Sequence, residues 1–209
     1  MMTIEVQVRK GTLTAQRREE LGRRLLGSVA GDPGDGKAPE SVLATARALT
    51  NVLVREEETW VTQGDEPRYL VRLTVPGSWQ SKEFTEYMIA AVTEAVAATE
   101  DDPGRLYREP HCQVQVVGLK EHAVGTLGRV TTATDITRLI TDGYRASADQ
   151  REPAPGTAID PVCGMTVDLA TATITLEHDG TLYAFCAPVC KKVFSEDRAG
   201  GARRGSGGA

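Results

Sequence analysis

The stretch Ile159-Asp-Pro-Val-Cys-Gly-Met165 and the later stretch Phe185-Cys-Ala-Pro-Val-Cys190 decide the fold of the C-terminal part of this chain. Their cysteines follow the spacing C-x22-C-x3-C. Between them, alternating apolar residues flank a His-Asp-Gly turn at residues 178–180, a pattern that predicts a β-hairpin. Because a hairpin returns the chain to its starting point, Cys163 is predicted to lie beside Cys186 and Cys190.

This cysteine-rich segment, residues 158–197, is too short to be stable through apolar burial alone. A metal ion bound by the three thiolates would supply the missing cross-link. Sulfur ligands select soft ions, so copper(I) or zinc(II) is the expected cofactor. A helix N-terminus near the paired cysteines, together with Lys191 and Lys192, would favour the thiolate form. Two alternatives remain open: a reversible Cys186–Cys190 disulfide, or three buried apolar thiols.

The DPVCGM motif, the hairpin and the FC-x3-C pair together resemble the YHS domain, a relative of the treble-clef-like TRASH modules. The resemblance implies that Cys163, Cys186 and Cys190 bind or sense a heavy metal, in a family whose module often accompanies copper-handling proteins. Family members often carry Ser and His between the paired cysteines, whereas this chain has Ala, Pro and Val at 187–189. A nitrogen ligand is therefore missing there, and His178 and Met165 are the candidates for a fourth donor.

The first 143 residues contain one pattern twice. Apolar residues alternate along three predicted strands, at positions 4–8, 69–75 and 112–116. Two helices with apolar residues four positions apart follow possible N-caps at Thr14 and Ser81. An extended segment at residues 52–54 completes two β-α-β units, which predict an α+β domain with one sheet and both helices on one face. Such an open sheet has unprotected edges, which favours oligomerisation.

These two units resemble the tautomerase superfamily, which includes the macrophage migration inhibitory factor group. The resemblance implies a homotrimer and a catalytic N-terminal proline. The position expected for that proline is occupied by Met2, whose bulk is expected to keep Met1 in place. We therefore predict no catalytic residue and no proline-type tautomerase activity. Arg9, Arg72 and Arg129 are candidates for binding a carboxylate substrate only if the enzyme hypothesis holds.

Composition narrows the remaining function classes. A net charge of -5 and the lack of a basic stripe argue against nucleic-acid binding. No apolar run is long enough for membrane insertion, and no signal peptide is recognisable, so the expected location is the cytoplasm.

Cys112 alternates with Val114 and Val116 and is predicted to be a core thiol. Residues 144–157 are predicted to be a linker, and residues 198–209 a disordered tail.

The leading functional hypothesis is a metal-binding protein. It would buffer, deliver or sense copper or zinc through a three-cysteine module on an oligomeric tautomerase-like scaffold, with a metal-handling protein as partner. The first alternative is a tautomerase-class enzyme in which the module is a structural or regulatory appendage. The second is a zinc-stabilised interaction module without metal traffic.

Overall fold

The computed structural model describes residues 1–29, 38–147 and 151–205, and its first part is a four-stranded sheet. The sheet order is β2-β1-β3-β4. Strands β1 and β2 pair in parallel, β3 and β4 pair in parallel, and β1 and β3 are antiparallel at the centre. The strands are β1 (Met2–Arg9), β2 (Thr50–Glu57), β3 (Tyr69–Pro76) and β4 (Cys112–Leu119). Each parallel pair closes one β-α-β unit, so the predicted α+β fold is confirmed.

Up to residue 124 the helices are α1 (Ala15–Val29), α2 (Glu40–Ala48), α3 (Lys82–Ala97) and α4 (Arg105–Arg108), and a 3-10 turn lies at Gly77–Trp79. Both predicted N-caps form: the hydroxyl of Thr14 accepts from Arg17 N at 3.2 Å, and that of Ser81 from Phe84 N at 3.1 Å. Alternate strand residues and the helix stripes build one core, including Ile4, Val71, Leu73, Leu21, Val92 and Val96. Burial of this face explains why the strand and helix periodicities are regular.

The chain divides into two compact units. The first comprises residues 1–32 and 47–124, and the second comprises residues 33–46 and 125–209. The described residues of the second unit contain most of α2, three two-stranded hairpins and two long helices. The hairpin strands and the long helices are β5 (Gly125–Thr126), β6 (Arg129–Val130), α5 (Ala133–Ala146), β7 (Thr157–Ile159), β8 (Thr166–Asp168), β9 (Thr175–His178), β10 (Thr181–Ala184) and α6 (Pro188–Gly205).

Helix α5 packs against α6 within the second unit. It ends at Ala146, inside the stretch predicted to be a linker, of which residues 148–150 lie outside the described chain. Helix α6 continues to Gly205, so residues 198–205 of the predicted tail are helical, while residues 206–209 also lie outside the described chain. The domain boundaries inferred from the sequence remain predictions.

Across the three described segments, no helix is both long and apolar enough to cross a bilayer. The four-stranded sheet ends on β2 and β4, each of which pairs with one neighbour.

Candidate metal centre

Cys163 lies in the tight turn that joins β7 to β8. The turn is closed by two backbone hydrogen bonds, from Gly164 N to Asp160 O at 2.8 Å and from Asp160 N to Met165 O at 2.9 Å. Gly164 has a φ of 71°, a left-handed conformation that side-chain-bearing residues rarely adopt. The Asp-Pro-Val-Cys-Gly sequence therefore places Cys163 on a constrained loop whose shape depends on its glycine.

Cys186 and Cys190 are positioned by the hairpin β9–β10 and the start of α6. Phe185 leaves the hairpin, with its N–H bonded to Ile174 O at 2.9 Å and its ring in the core of the unit. Cys186 follows at the bend, and Pro188 opens the helix, a position where the absence of an N–H costs nothing. Cys190 lies in the first turn of α6, and its N–H donates to Ala187 O at 3.1 Å.

These two elements bring the three predicted thiols together. Cys163 Sγ lies 3.4 Å from Cys186 Sγ, and Cys186 Sγ lies 3.8 Å from Cys190 Sγ. Two thiolates bound at about 2.3 Å to one tetrahedral ion would be about 3.8 Å apart, so these separations fit a shared ion. Cys163 and Cys190 are buried, whereas Cys186 is exposed. The cluster could therefore bind a metal, and one of its three cysteines is exposed.

The carboxylate of Asp160 is the fourth member of the cluster, and sequence reasoning missed it. One ligand atom from each of the four residues lies within 4.8 Å of the others. Asp160 is fully buried, and its Oδ1 accepts from Val162 N at 2.8 Å and Cys163 N at 3.3 Å. Its Oδ2 accepts from Cys186 N at 2.8 Å. The only sequence signal was an Asp-Pro pair three residues before the first cysteine, which by itself indicates a turn.

The three thiols shift one another's pKa through their hydrogen bonds. Hydrogen bonds from the other two thiols lower the pKa of Cys163 well below its usual range, despite its burial. Donation to that thiolate raises the pKa of both Cys186 and Cys190, and the burial of Cys190 adds to its shift. Burial, followed by the nearby Cys163 charge, also raises the pKa of Asp160 to about 6. A cation entering the cluster would relieve this crowding of acidic groups.

The two candidates for a fourth donor have other surroundings. His178 lies outside the four-residue cluster, with its Nε2 3.3 Å from Asp179 Oδ2 and its ring edge-on to Phe194 at 6.1 Å. Met165 packs against the apolar core of the unit. All four cysteines are free, and the closest pair of sulfurs is Cys163 with Cys186 rather than the pair considered for a disulfide.

The two lysines predicted to favour the thiolates make contacts elsewhere. Lys191 Nζ donates to Thr175 O at 2.8 Å, and Lys192 Nζ lies 3.9 Å from Glu196 Oε1. Neither lysine is among the causes of the thiol pKa shifts. The thiolate is thus stabilised by neighbouring thiols and backbone N–H groups.

Residues outside the cysteine motif, including helix α5, pack against the β7–β8 turn that carries Cys163. An ideal Cβ on Gly164 would lie 2.5 Å from Tyr144 Cε2 and 2.6 Å from Pro39 Cγ, so the loop packs closely against both rings. Arg151 Nη2 donates to Gly164 O at 3.0 Å.

Ion pairs then join α5 to α6. Arg138 Nη2 lies 2.7 Å from Glu196 Oε2 and 2.9 Å from Asp197 Oδ1. Arg145 Nη1 lies 3.0 Å from Asp197 Oδ2. Because one carboxylate is shared by two arginines, these contacts form a network rather than isolated surface pairs.

In the first unit, the features tied to the tautomerase resemblance are arranged as follows. Met2 N donates to Leu49 O at 3.3 Å, and the Met2 side chain belongs to the core. The first nitrogen of β1 is thus a bonded peptide nitrogen. Arg9 pairs with Asp65 at 3.2 Å, while Arg72 is exposed on β3. Cys112 packs against the core, and burial raises the pKa of its thiol to about 11.

Arg129, the third candidate for substrate binding, is exposed on β6 in the second unit.

Comparison with known proteins connects the cysteine geometry to a family. Residues 158–204 match the family model of the YHS domain. The resemblance predicted from the cysteine motifs is therefore confirmed. A copper-transporting P-type ATPase of Rhizobium leguminosarum bv. viciae is 40% identical over 47 residues. That alignment covers 22% of this chain and only 6% of the ATPase, so the chain spans a small part of that relative's length.

Solved structures similar to the remainder are tautomerase and migration-inhibitory-factor folds. A fused 4-OT described as an asymmetric trimer has a TM-score of 0.46 and 16% identity, covering 61% of this chain and 94% of its own. The macrophage migration inhibitory factor of Toxoplasma gondii has a TM-score of 0.46 and 10% identity, covering 62% of this chain and 99% of its own. A member of the cis-3-chloroacrylic acid dehalogenase family has a TM-score of 0.46 and 15% identity, covering 71% and 93%.

Proposed function

We propose that this protein binds one soft metal ion per chain through Cys163, Cys186 and Cys190, in order to buffer, deliver or sense it. The observation that carries the proposal is the convergence of three sulfurs, with separations of 3.4 and 3.8 Å, from segments that are 23 residues apart. Thiolate ligands select soft ions over magnesium or calcium. The similarity of 47 residues of this chain to part of a copper-transporting ATPase supports the same conclusion.

Copper(I) is the ion we favour over zinc(II). Structural zinc sites use four protein ligands in a closed tetrahedron. Here the ligand set has three sulfurs, and the nearest further donor, Asp160, already accepts three backbone hydrogen bonds. An exposed Cys186 also gives an incoming thiolate from a metal-handling partner a route to the ion. These features suit transfer better than permanent structural binding.

The test is a competition titration of the reduced full-length protein against a chromophoric copper(I) chelator. We expect about one ion per chain in the wild type and none held by the triple variant Cys163→Ser/Cys186→Ser/Cys190→Ser. The matched control is Cys112→Ser, which removes the remaining thiol and should leave the stoichiometry unchanged. Full stoichiometry in the triple variant would show that the site is elsewhere. Preference for zinc over copper in parallel titrations would overturn the choice of ion.

A further inference from the structure

The cluster contains one buried carboxylate whose hydrogen bonds join both cysteine-bearing segments. Asp160 is fully buried and accepts from Val162 and Cys163 in its own turn. It also accepts from Cys186, which lies 26 residues further along the chain. We propose that Asp160 is a positioning residue that holds Cys186 beside Cys163 before the metal binds, and that it is not a metal ligand. This inference rests on the metal-binding function proposed above.

The hydrogen-bond geometry argues against ligation by Asp160. Each carboxylate oxygen has two lone pairs. Oδ1 uses both of its lone pairs on Val162 N and Cys163 N, and Oδ2 uses one on Cys186 N. Hydrogen bonds to a charged acceptor are about twice as strong as neutral ones, and breaking them would leave buried N–H groups without a partner. Turning the carboxylate to bring Oδ1 to an ion would therefore cost the contacts that bring the sulfurs together. One lone pair is left on Oδ2, and this is the atom that the X-ray absorption measurement tests for ligation.

The same contacts explain why an anion is present at this position. Three N–H groups solvate the buried charge in place of water. An asparagine would offer one carbonyl oxygen, and its NH2 group would face an N–H donor at the other site. It could therefore satisfy either the turn at 162–163 or the link to Cys186, but not both. Asp160→Asn is expected to release one segment without changing the volume of the side chain.

The matched control is Asp168→Asn. Asp168 lies in the same unit, is exposed, and caps its own turn by accepting from Ala170 N at 2.9 Å. It belongs neither to the cysteine cluster nor to its hydrogen bonds. Both variants lose one negative charge and one turn-capping carboxylate. Only Asp160→Asn removes the connection between the two cysteine-bearing segments.

The first measurement uses the wild-type full-length chain without metal. Amide hydrogen exchange should show slow exchange at Cys186 N and Val162 N, and this protection should persist when copper(I) is added. Fast exchange in the metal-free protein would refute the positioning role. Protection that disappears on metal binding would show that the carboxylate turns to the ion, and would also refute it. This measurement needs no variant and begins without metal. It therefore separates failure of the positioning role of Asp160 from failure of the proposed metal-binding function.

The second measurement is X-ray absorption of the copper(I)-loaded variants. We expect three sulfur neighbours in the wild type and in Asp168→Asn, and two in Asp160→Asn, with the affinity lowered about 10–100-fold. Three sulfurs and unchanged affinity in Asp160→Asn would overturn the proposal. Loss of an oxygen neighbour with all three sulfurs retained would assign Asp160 as a ligand and overturn it equally. If Asp160→Asn does not fold, the exchange measurement on the wild type decides.

Discussion

Replacing Gly164 with alanine should destabilise the second unit by more than the cost of placing alanine in a left-handed backbone conformation. Gly164 has a φ of 71°, and a left-handed residue with a side chain costs about 1–2 kcal/mol. The added Cβ would also lie 2.5 Å from Tyr144 Cε2 and 2.6 Å from Pro39 Cγ. Forcing a methyl group into packed surroundings typically costs about 1–3 kcal/mol. We therefore expect a loss of about 2–5 kcal/mol in the free energy of unfolding of this unit.

Gly180→Ala separates the two contributions. Gly180 lies in the turn between β9 and β10 with a φ of 73°, and an ideal Cβ there meets nothing within 4 Å. This variant carries the backbone cost alone, so Gly164→Ala should be less stable than it by about 1–3 kcal/mol. Gly164→Ala should cost less when it is introduced into Tyr144→Ala than into the wild type, because one of the two rings that the methyl group meets is then absent.

The assay is denaturant unfolding of the metal-free protein. The unfolding of the second unit is monitored by the alkylation of the cluster cysteines. Both tryptophans, Trp60 and Trp79, lie in the first unit, so their fluorescence serves as an internal control that these variants should leave unchanged. Equal stability of Gly164→Ala and Gly180→Ala, within about 0.5 kcal/mol, would refute the packing of Tyr144 and Pro39 on the metal loop. The loop that carries Cys163 would then be supported by the YHS segment alone.

Four further predictions follow from the two units. Cys112 should be alkylated slowly in the folded protein at pH 8 and faster as the pH rises towards about 11, because its raised pKa keeps the reactive thiolate scarce; a rate at pH 8 equal to that of unfolded protein would contradict this. Sedimentation of the full-length chain at micromolar concentration should show a trimer, since β2 and β4 leave both sheet edges unpaired, whereas a monomer would contradict it. The protein should not convert phenylpyruvate enol above the buffer rate, because the first nitrogen of β1 is a peptide nitrogen that is hydrogen-bonded to Leu49 O. Turnover that stops when the N-terminal amine is blocked would favour the enzyme hypothesis. Chelation of the metal should leave the helical circular dichroism nearly intact, and large loss of signal would favour a structural zinc site.

The fold of the first unit could be predicted from the sequence because its periodicities are local and regular. Ile4, Val6 and Val8 alternate on β1 and are all fully buried. The i+4 stripe of α3 likewise places Met88, Val92 and Val96 in the core. Such patterns predict an element and its buried face together. The parallel pairing of β1 with β2 then follows from the helical crossover between them.

The surroundings of the metal centre were harder to predict because they depend on contacts between distant segments. The cysteine spacing placed Cys163, Cys186 and Cys190 together correctly. Nothing in the local pattern of α5 shows that its arginines meet Glu196 and Asp197, over fifty residues away. Asp160 was missed for the same reason: Asp before Pro is typical of turns, and its bond to Cys186 exists only in the folded unit.

Whether a metal ion in the second unit would be a permanent structural ion or an exchangeable one depends on what else stabilises the unit. A module held together by its ion has few other contacts, and removal of the ion unfolds it. Here Val162, Phe185 and Val193 form a buried core, and α5 adds its ion pairs to α6. Asp160 links the two cysteine-bearing segments through backbone hydrogen bonds that require no metal. Because the unit has these contacts without the ion, the metal binding that we propose can be reversible. In the proposed function, the exposed Cys186 would let another thiolate reach the ion while Cys163 and Cys190 still hold it.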